Sequence, residues 1–405
     1  MGADPPAAPC AAPPLPEDAP FLMSNPLIEV QQHGQSLWYD YISRDLLLSG
    51  ELRRLVEQDG VRGVTSNPAI FEKAIAGSSD YDPAIRALVS QGLTDAQAIY
   101  EALAIEDIQL GCDVLRPVYE ASDSRDGFVS LEVSPHLAYQ TEATLEEARR
   151  LWSAVGRPNL MIKVPATTEG LPAIEQLIAE GINVNATLLF AVGYYEGVHH
   201  AYQRGVARYI EAGGNPAKVS SVASFFVSRI DAMIEKRVAA EFEESSEPDR
   251  KARLEALLAK VAIANAVDAY ASFQRDVATP EWEDLARQGA RPQRVLWAST
   301  GTKNPDLPPT LYVDELIGPD TVNTVPAATF EAFKTGGTVA NALCGRGEAT
   351  LSEAQALMAS VEDLGISFRE ITDDLLVRGC QLFCDAFDQV LGAVSEKRDA
   401  LAKDA

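Results

Sequence analysis

The strongest chemical signal in this chain is a lysine inside an apolar strand. Lys163 stands in the middle of Leu160-Met161-Ile162-Lys163-Val164-Pro165-Ala166. Burying an ammonium without a partner disfavours its charged form, and a neutral amine is a nucleophile suited to Schiff-base chemistry. The residues that follow, Thr167-Thr168-Glu169-Gly170-Leu171, read as a strand-to-helix turn. The amine therefore lies near the end of a buried strand, where α/β folds gather their chemistry. The competing reading is a lysine neutralised by an interior carboxylate, and on this residue alone the two stand level.

What separates them is the company the lysine keeps. Side chains alternate faces along a strand. Phe128, Ser130, Glu132 and Ser134 then share one face, opposite Val129, Leu131 and Val133. Asn183, Asn185 and Thr187 oppose Ile182, Val184, Ala186 and Leu188; Gly63, Thr65 and Asn67 form one set, and Ser36, Trp38 and Asp40 another. The helix-covered outer face of a barrel strand must be apolar, so these polar sets point inward. An amine that condenses with a ketone needs one group to move protons during dehydration and a second to take a hydroxyl proton. Asp40 and Glu132, on different strands, are candidates to divide those tasks.

The elements that must position these residues alternate in type. Strand-type segments cover 36–42, 61–67, 127–134, 160–166, 182–190, 219–227, 294–300 and 321–325. Helix-type stretches between them include 142–155, 171–180, 194–212, 229–244 and 247–276. A long, largely helical insertion covers 68–126, and one or two helices cover 352–401. Eight strands alternating with helices predict an α/β protein, a (β/α)8 TIM barrel with additional helices. A doubly wound open sheet is the rival, but no GxGxxG follows the first strand. Residues 1–20 are rich in Pro and Ala without the pattern of a secretory signal. We read 1–22 as a disordered arm, Met23 as a candidate start, and 23–405 as one catalytic barrel domain with C-terminal helices.

Bulk composition narrows the partners. Hydrophobic residues make up 46% of 405, enough for a sizeable core. The 34 basic and 59 acidic side chains leave a net charge of −25, which disfavours nucleic acid and anionic membranes. A phosphate site in such a chain has to be a local cluster of cations. Five cysteines in no framework spacing point to a reducing, cytoplasmic setting, and Cys380 and Cys384 read as small core residues. Neither HExxH nor CxxC occurs, so a metal-dependent mechanism has little support.

Four segments resemble one family. Gly63-Val64-Thr65-Ser66-Asn67-Pro68-Ala69-Ile70-Phe71 resembles the transaldolase signature around strand two. Leu160 to Leu177, with Lys163, Pro165, Thr167, Gly170 and Leu171, is similar to its active-lysine segment. Gly181-Ile182-Asn183-Val184-Asn185-Ala186-Thr187-Leu188-Leu189-Phe190 looks like its fifth strand, and Ser224-Phe225-Phe226-Val227-Ser228-Arg229 its sixth. The resemblance covers about residues 24–400. It implies a class I aldolase-like barrel needing no cofactor, acting on sugar phosphates as a monomer or homodimer. It implies that Lys163 forms the Schiff base and Asp40 moves the proton for carbon–carbon cleavage. Glu132, through a water held by Thr187, would serve imine formation. Thr65, Asn67, Asn185, Ser224 and Phe226 would line the donor subsite, and Arg229 would hold the phosphate.

Two places depart from the family pattern. Trp38-Tyr39-Asp40-Tyr41 stands where many members have Asp-Thr-Gly-Asp, and Thr300-Gly301-Thr302-Lys303 where many have an arginine soon after a serine. Lys303, with Ser299, is the candidate second phosphate contact. Plain alternatives exist throughout. Asn67 before Pro68 is also a turn signal, Thr187 a strand filler, Arg229 a surface partner for Asp231, and Lys303 a solvated loop residue. Trp38 packs in the barrel or lines its mouth. His136, just past the Glu132 strand, reads as structural.

Overall fold

The computed structural model describes residues 25–345 and 348–403. Eight parallel strands close a barrel in sequence order. They are β1 Gln35–Tyr39, β2 Gly63–Val64, β3 Phe128–Glu132, β4 Leu160–Pro165, β5 Val184–Leu189, β6 Ser221–Phe226, β7 Arg294–Ala298 and β8 Thr321–Val325. Closure runs from Gln35 opposite Thr321 to Tyr39 opposite Val325. Each expected strand is present. The proposed N-terminal arm and Met23 lie outside the described residues. No helix among the described residues is long and apolar enough to cross a membrane.

Three local differences from the sequence reading have physical causes. Only Gly63 and Val64 pair within the expected 61–67 strand. Trp38 packs so close to Gly63 that a Cβ there would meet its indole at 2.5 Å. Three residues past Val64 the chain reaches Asn67, whose Oδ1 accepts from Ile70 N at 3.0 Å to cap the helix Pro68–Ala76. The expected helix over 247–276 is two helices, Pro248–Glu255 and Val261–Val277, with Ala259 at φ 59° between them. Asp231 fixes that break: its Oδ1 accepts from Ala262 N at 2.9 Å, and its Oδ2 from Tyr312 at 2.8 Å. Asp231 is buried and committed there, so it is not the surface partner of Arg229. Finally, β5 slips register between Ala186 and Leu189, with Leu188 at φ 63°. Leu188, expected on the outer face, packs instead beside Gly379 of the C-terminal helix.

The C-terminal region forms two helices, Glu348–Asp363 and Phe368–Lys403. The second packs against the insertion helices Pro68–Ala76, Asp82–Ser90 and Ala96–Ala121, and also against Ser228–Glu244 and β5. It therefore crosses the face of the barrel where the strands end.

Candidate active site

The interior polar side chains converge at the C-terminal ends of the strands. Lys163 is buried, and its Nζ lies 3.4 Å from Glu132 Oε2. It also donates to the Ser66 carbonyl at 3.3 Å. Lys163 thus has the interior carboxylate that the competing reading called for, and it stands among the inward polar side chains. The Glu132 contact is one of charge rather than a directed bond, since neither carboxyl oxygen meets hydrogen-bond geometry with any described group. Glu132 ends β3 in register with Lys163. Burial pushes its carboxyl up to about 7, opposed by the Lys163 charge and helped by that of Asp40. A carboxyl in that range gives or takes a proton near neutral pH with equal ease. Thr187 Oγ1, opposite Pro165 on β5, is likewise buried without a partner.

Asp40 follows β1 and accepts from Thr65 Oγ1 at 2.6 Å, and Thr65 in turn lies 2.5 Å from Thr324 Oγ1 on β8. Burial raises the Asp40 carboxyl, while Thr65 and the charges of Lys163, Lys303 and Arg229 pull it down. Those causes place the three cations around one carboxyl. Thr65 thus orients Asp40, a role its strand position did not suggest. Asn185 donates to Ser130 Oγ at 3.0 Å and accepts from Ser224 Oγ at 2.6 Å, linking β3, β5 and β6 across the interior. Asn67 uses its carbonyl oxygen as the helix cap, which leaves its NH2 as the end available to a ligand.

Arg229 lies in the first turn of the helix Ser228–Glu244, its guanidinium 5.1 Å from the Phe226 ring centroid. Burial pulls its pKa down, with only Asp40 opposing. The loop after β7 is pinned to the same helix start: Ser299 Oγ lies 3.0 Å from Ser228 Oγ, and the Ser299 carbonyl accepts from Ser228 N at 3.1 Å. That loop carries Lys303, which partial burial and then the Arg229 charge pull down. Lys73 adds to the same positive field.

Other expectations divide cleanly. Trp38 packs in the barrel, its Nε1 donating to Asp126 at 3.1 Å. His136 lies exposed, 2.8 Å from Asp388 and edge-on to Phe387, so it anchors the C-terminal helix. Sequence reading set Ser130 on the inward face of β3 without giving it a role, and it missed Thr324 and above all Phe383, whose ring centroid is 5.4 Å from Lys163 Nζ. Alternation along β3 and β8 marks the first two. Phe383 carries no local signal, because any amphipathic helix buries phenylalanines. No group of three or more His, Cys, Asp or Glu among the described residues is arranged to hold a metal.

A closed parallel barrel with a buried lysine and two carboxyls at its strand ends defines an aldolase-like (β/α)8 enzyme. Residues 37–394 match the family model described as Transaldolase/Fructose-6-phosphate aldolase. The chain is 47% identical over 376 residues to Transaldolase 2 of Nostoc sp., covering 92% of this chain and 97% of the relative. It is 46% identical over 378 residues to Transaldolase of Frankia alni (93% and 98%). Against Transaldolase of Acidothermus cellulolyticus it is 47% identical over 378 residues (92% and 97%). The chain belongs to the transaldolase/fructose-6-phosphate aldolase family.

Proposed function

We propose that this chain is a transaldolase of the pentose phosphate pathway, working through a Schiff base on Lys163. It moves a dihydroxyacetone unit from sedoheptulose 7-phosphate to glyceraldehyde 3-phosphate, giving erythrose 4-phosphate and fructose 6-phosphate. Lys163 Nζ adds to the ketose carbonyl. Glu132, through a water held by Thr187, protonates the departing hydroxyl and leaves an iminium. Asp40 takes the proton from the hydroxyl beyond the breaking bond; the bonding pair flows into the iminium and the first aldehyde departs. The resulting enamine attacks the acceptor aldehyde, and Asp40 returns its proton to the new alkoxide. Water, activated by Glu132, releases the product and restores the amine. The imine is the electron sink, so the chemistry calls for no cofactor.

In this reading Asn67, Asn185 and Ser224 hold the hydroxyls of the three-carbon unit, and Phe226 lines it. Arg229 holds the phosphate as a planar guanidinium, with Lys303 and Ser299 beside it. The observation that carries the reading is the buried Lys163 amine 3.4 Å from a carboxyl that titrates at about 7. Borohydride reduction in the presence of fructose 6-phosphate should leave one adduct, on Lys163, by mass spectrometry. An adduct elsewhere, or none, rejects the mechanism. Because the family also contains fructose-6-phosphate aldolases, free dihydroxyacetone is measured without acceptor; release as fast as transfer would assign the chain to that reaction instead.

A further inference from the structure

The longest helix of the molecule, Phe368–Lys403, crosses the open end of the barrel. Its approach is close because position 379 is glycine: a Cβ there would stand 2.9 Å from Leu188 Cδ2, on the residue that the β5 irregularity turns toward the helix. One turn later Phe383 is 5% exposed, with its ring 5.4 Å from Lys163 Nζ. Cys380, 4% exposed, shares that face. A turn beyond, Phe387 meets Tyr100 edge-on at 5.5 Å, and Tyr100 meets Phe71 at 5.8 Å. Phe71 belongs to the helix capped by Asn67. Phe383 is therefore held between two anchors, Gly379 on β5 and the Phe387–Tyr100–Phe71 ladder.

The Lys163 nitrogen sits between a carboxyl and an aromatic ring. A ring face within about 6 Å attracts a cation, more strongly when water is excluded. The iminium formed before cleavage carries its charge on that nitrogen and faces the same ring; the enamine left after cleavage is neutral, and there the ring acts by excluding water. An apolar ring at that distance also occupies the space from which water would approach.

Resting on the Schiff-base reading above, we propose that Phe383 is a specificity-determining residue. Its ring covers the Lys163 nitrogen, keeps water from the covalent intermediate, and so sets the partition between transfer to an acceptor aldehyde and release of free dihydroxyacetone.

The test uses the full chain with fructose 6-phosphate, with and without glyceraldehyde 3-phosphate. Phe383→Ala should raise the ratio of released dihydroxyacetone to transferred product by about tenfold or more, while borohydride still traps Lys163. Phe383→Leu keeps volume and fold but loses the ring face. It should leave the ratio near wild type and lower the pH at which the trapped adduct is half-maximal by about one unit. Phe387→Leu, in the anchor but away from Lys163, should change neither readout. If the Phe383 variants leave both readouts unchanged, or if Phe387→Leu matches Phe383→Ala, the ring merely packs and the inference is overturned. Failure to trap any adduct in the unmodified protein would instead reject the Schiff base itself.

Discussion

Among the described residues a buried ionic cluster stands at each end of the barrel, and the two differ in how far their bonds are satisfied. At the N-terminal end Arg294 donates to Asp126 at 2.9 Å, to Ser36 Oγ at 2.8 Å and to the Arg125 carbonyl at 2.7 Å. Asp126 also accepts from Ser36 at 2.6 Å and from Trp38 at 3.1 Å. At the C-terminal end Glu132 and Thr187 keep buried oxygens without hydrogen bonds, and burial depresses Arg229 and Lys303 even with the Asp40 charge opposing it. Both clusters combine buried cations, carboxyls and hydroxyls. The saturated cluster plugs the barrel, and the unsaturated one is ready to bind and react. Between these two clusters, unmet bonding capacity, costly to the fold, marks the one that can bind and react.

That contrast is open to direct attack. The largest effect should come from the upper end: Glu132→Gln is expected to lower kcat by about 100- to 10,000-fold. It should also remove the limb near pH 7 from the kcat profile, measured by steady-state assay across pH 5 to 9. Secondary structure by circular dichroism should be unchanged. Asp126→Ala at the lower end should do the reverse. It strands a buried guanidinium and should cost about 3–5 kcal/mol of stability in urea titration, with KM and kcat of the surviving fold near wild type. Equal loss of activity per folded molecule in Asp126→Ala would erase the distinction.

Arg229→Leu tests the cost of the open cluster. KM for the phosphorylated donor should rise about 10- to 100-fold, the worth of charge-assisted hydrogen bonds, while thermal stability holds or increases. The smallest effect belongs to a buried group outside both clusters. His199 stacks on Tyr195, and burial holds its imidazole down at about 4. Its folded pKa lies below its ordinary value of 6.5, so the unfolded chain takes the proton first. Stability from this group is therefore intact above about pH 6.5 and drains away as pH falls towards 4. His199→Gln should flatten the melting temperature against pH in that window; an unchanged slope would assign the acid sensitivity to other groups.

Much of the upper cluster was legible beforehand, because strand alternation is a local rule. Parity set Asp40, Glu132, Asn185 and Thr187 facing inward, and the closed barrel aligns Lys163 with Glu132 and Asn185 on the neighbouring strands. Strand alternation did not anticipate Leu188, where a left-handed residue breaks the period in β5. The alternative that pairs Arg229 with Asp231 at the surface falls to contacts remote in sequence, since the partners of Asp231, Ala262 and Tyr312, lie 31 and 81 residues away. Trp38 stayed undecided until Gly63 and Asp126, both remote in sequence, were seen against it.

Residue type and period thus determined the barrel, the inward lysine and its two carboxyls, since these depend on the pleat of each strand and on apolar outer faces. Tertiary structure decided which polar groups end up satisfied and which stay open, and it laid Phe383 of a distant helix over Lys163. Hydrogen-bond saturation and close cover are properties of packing between elements far apart in the chain, and no local pattern encodes them.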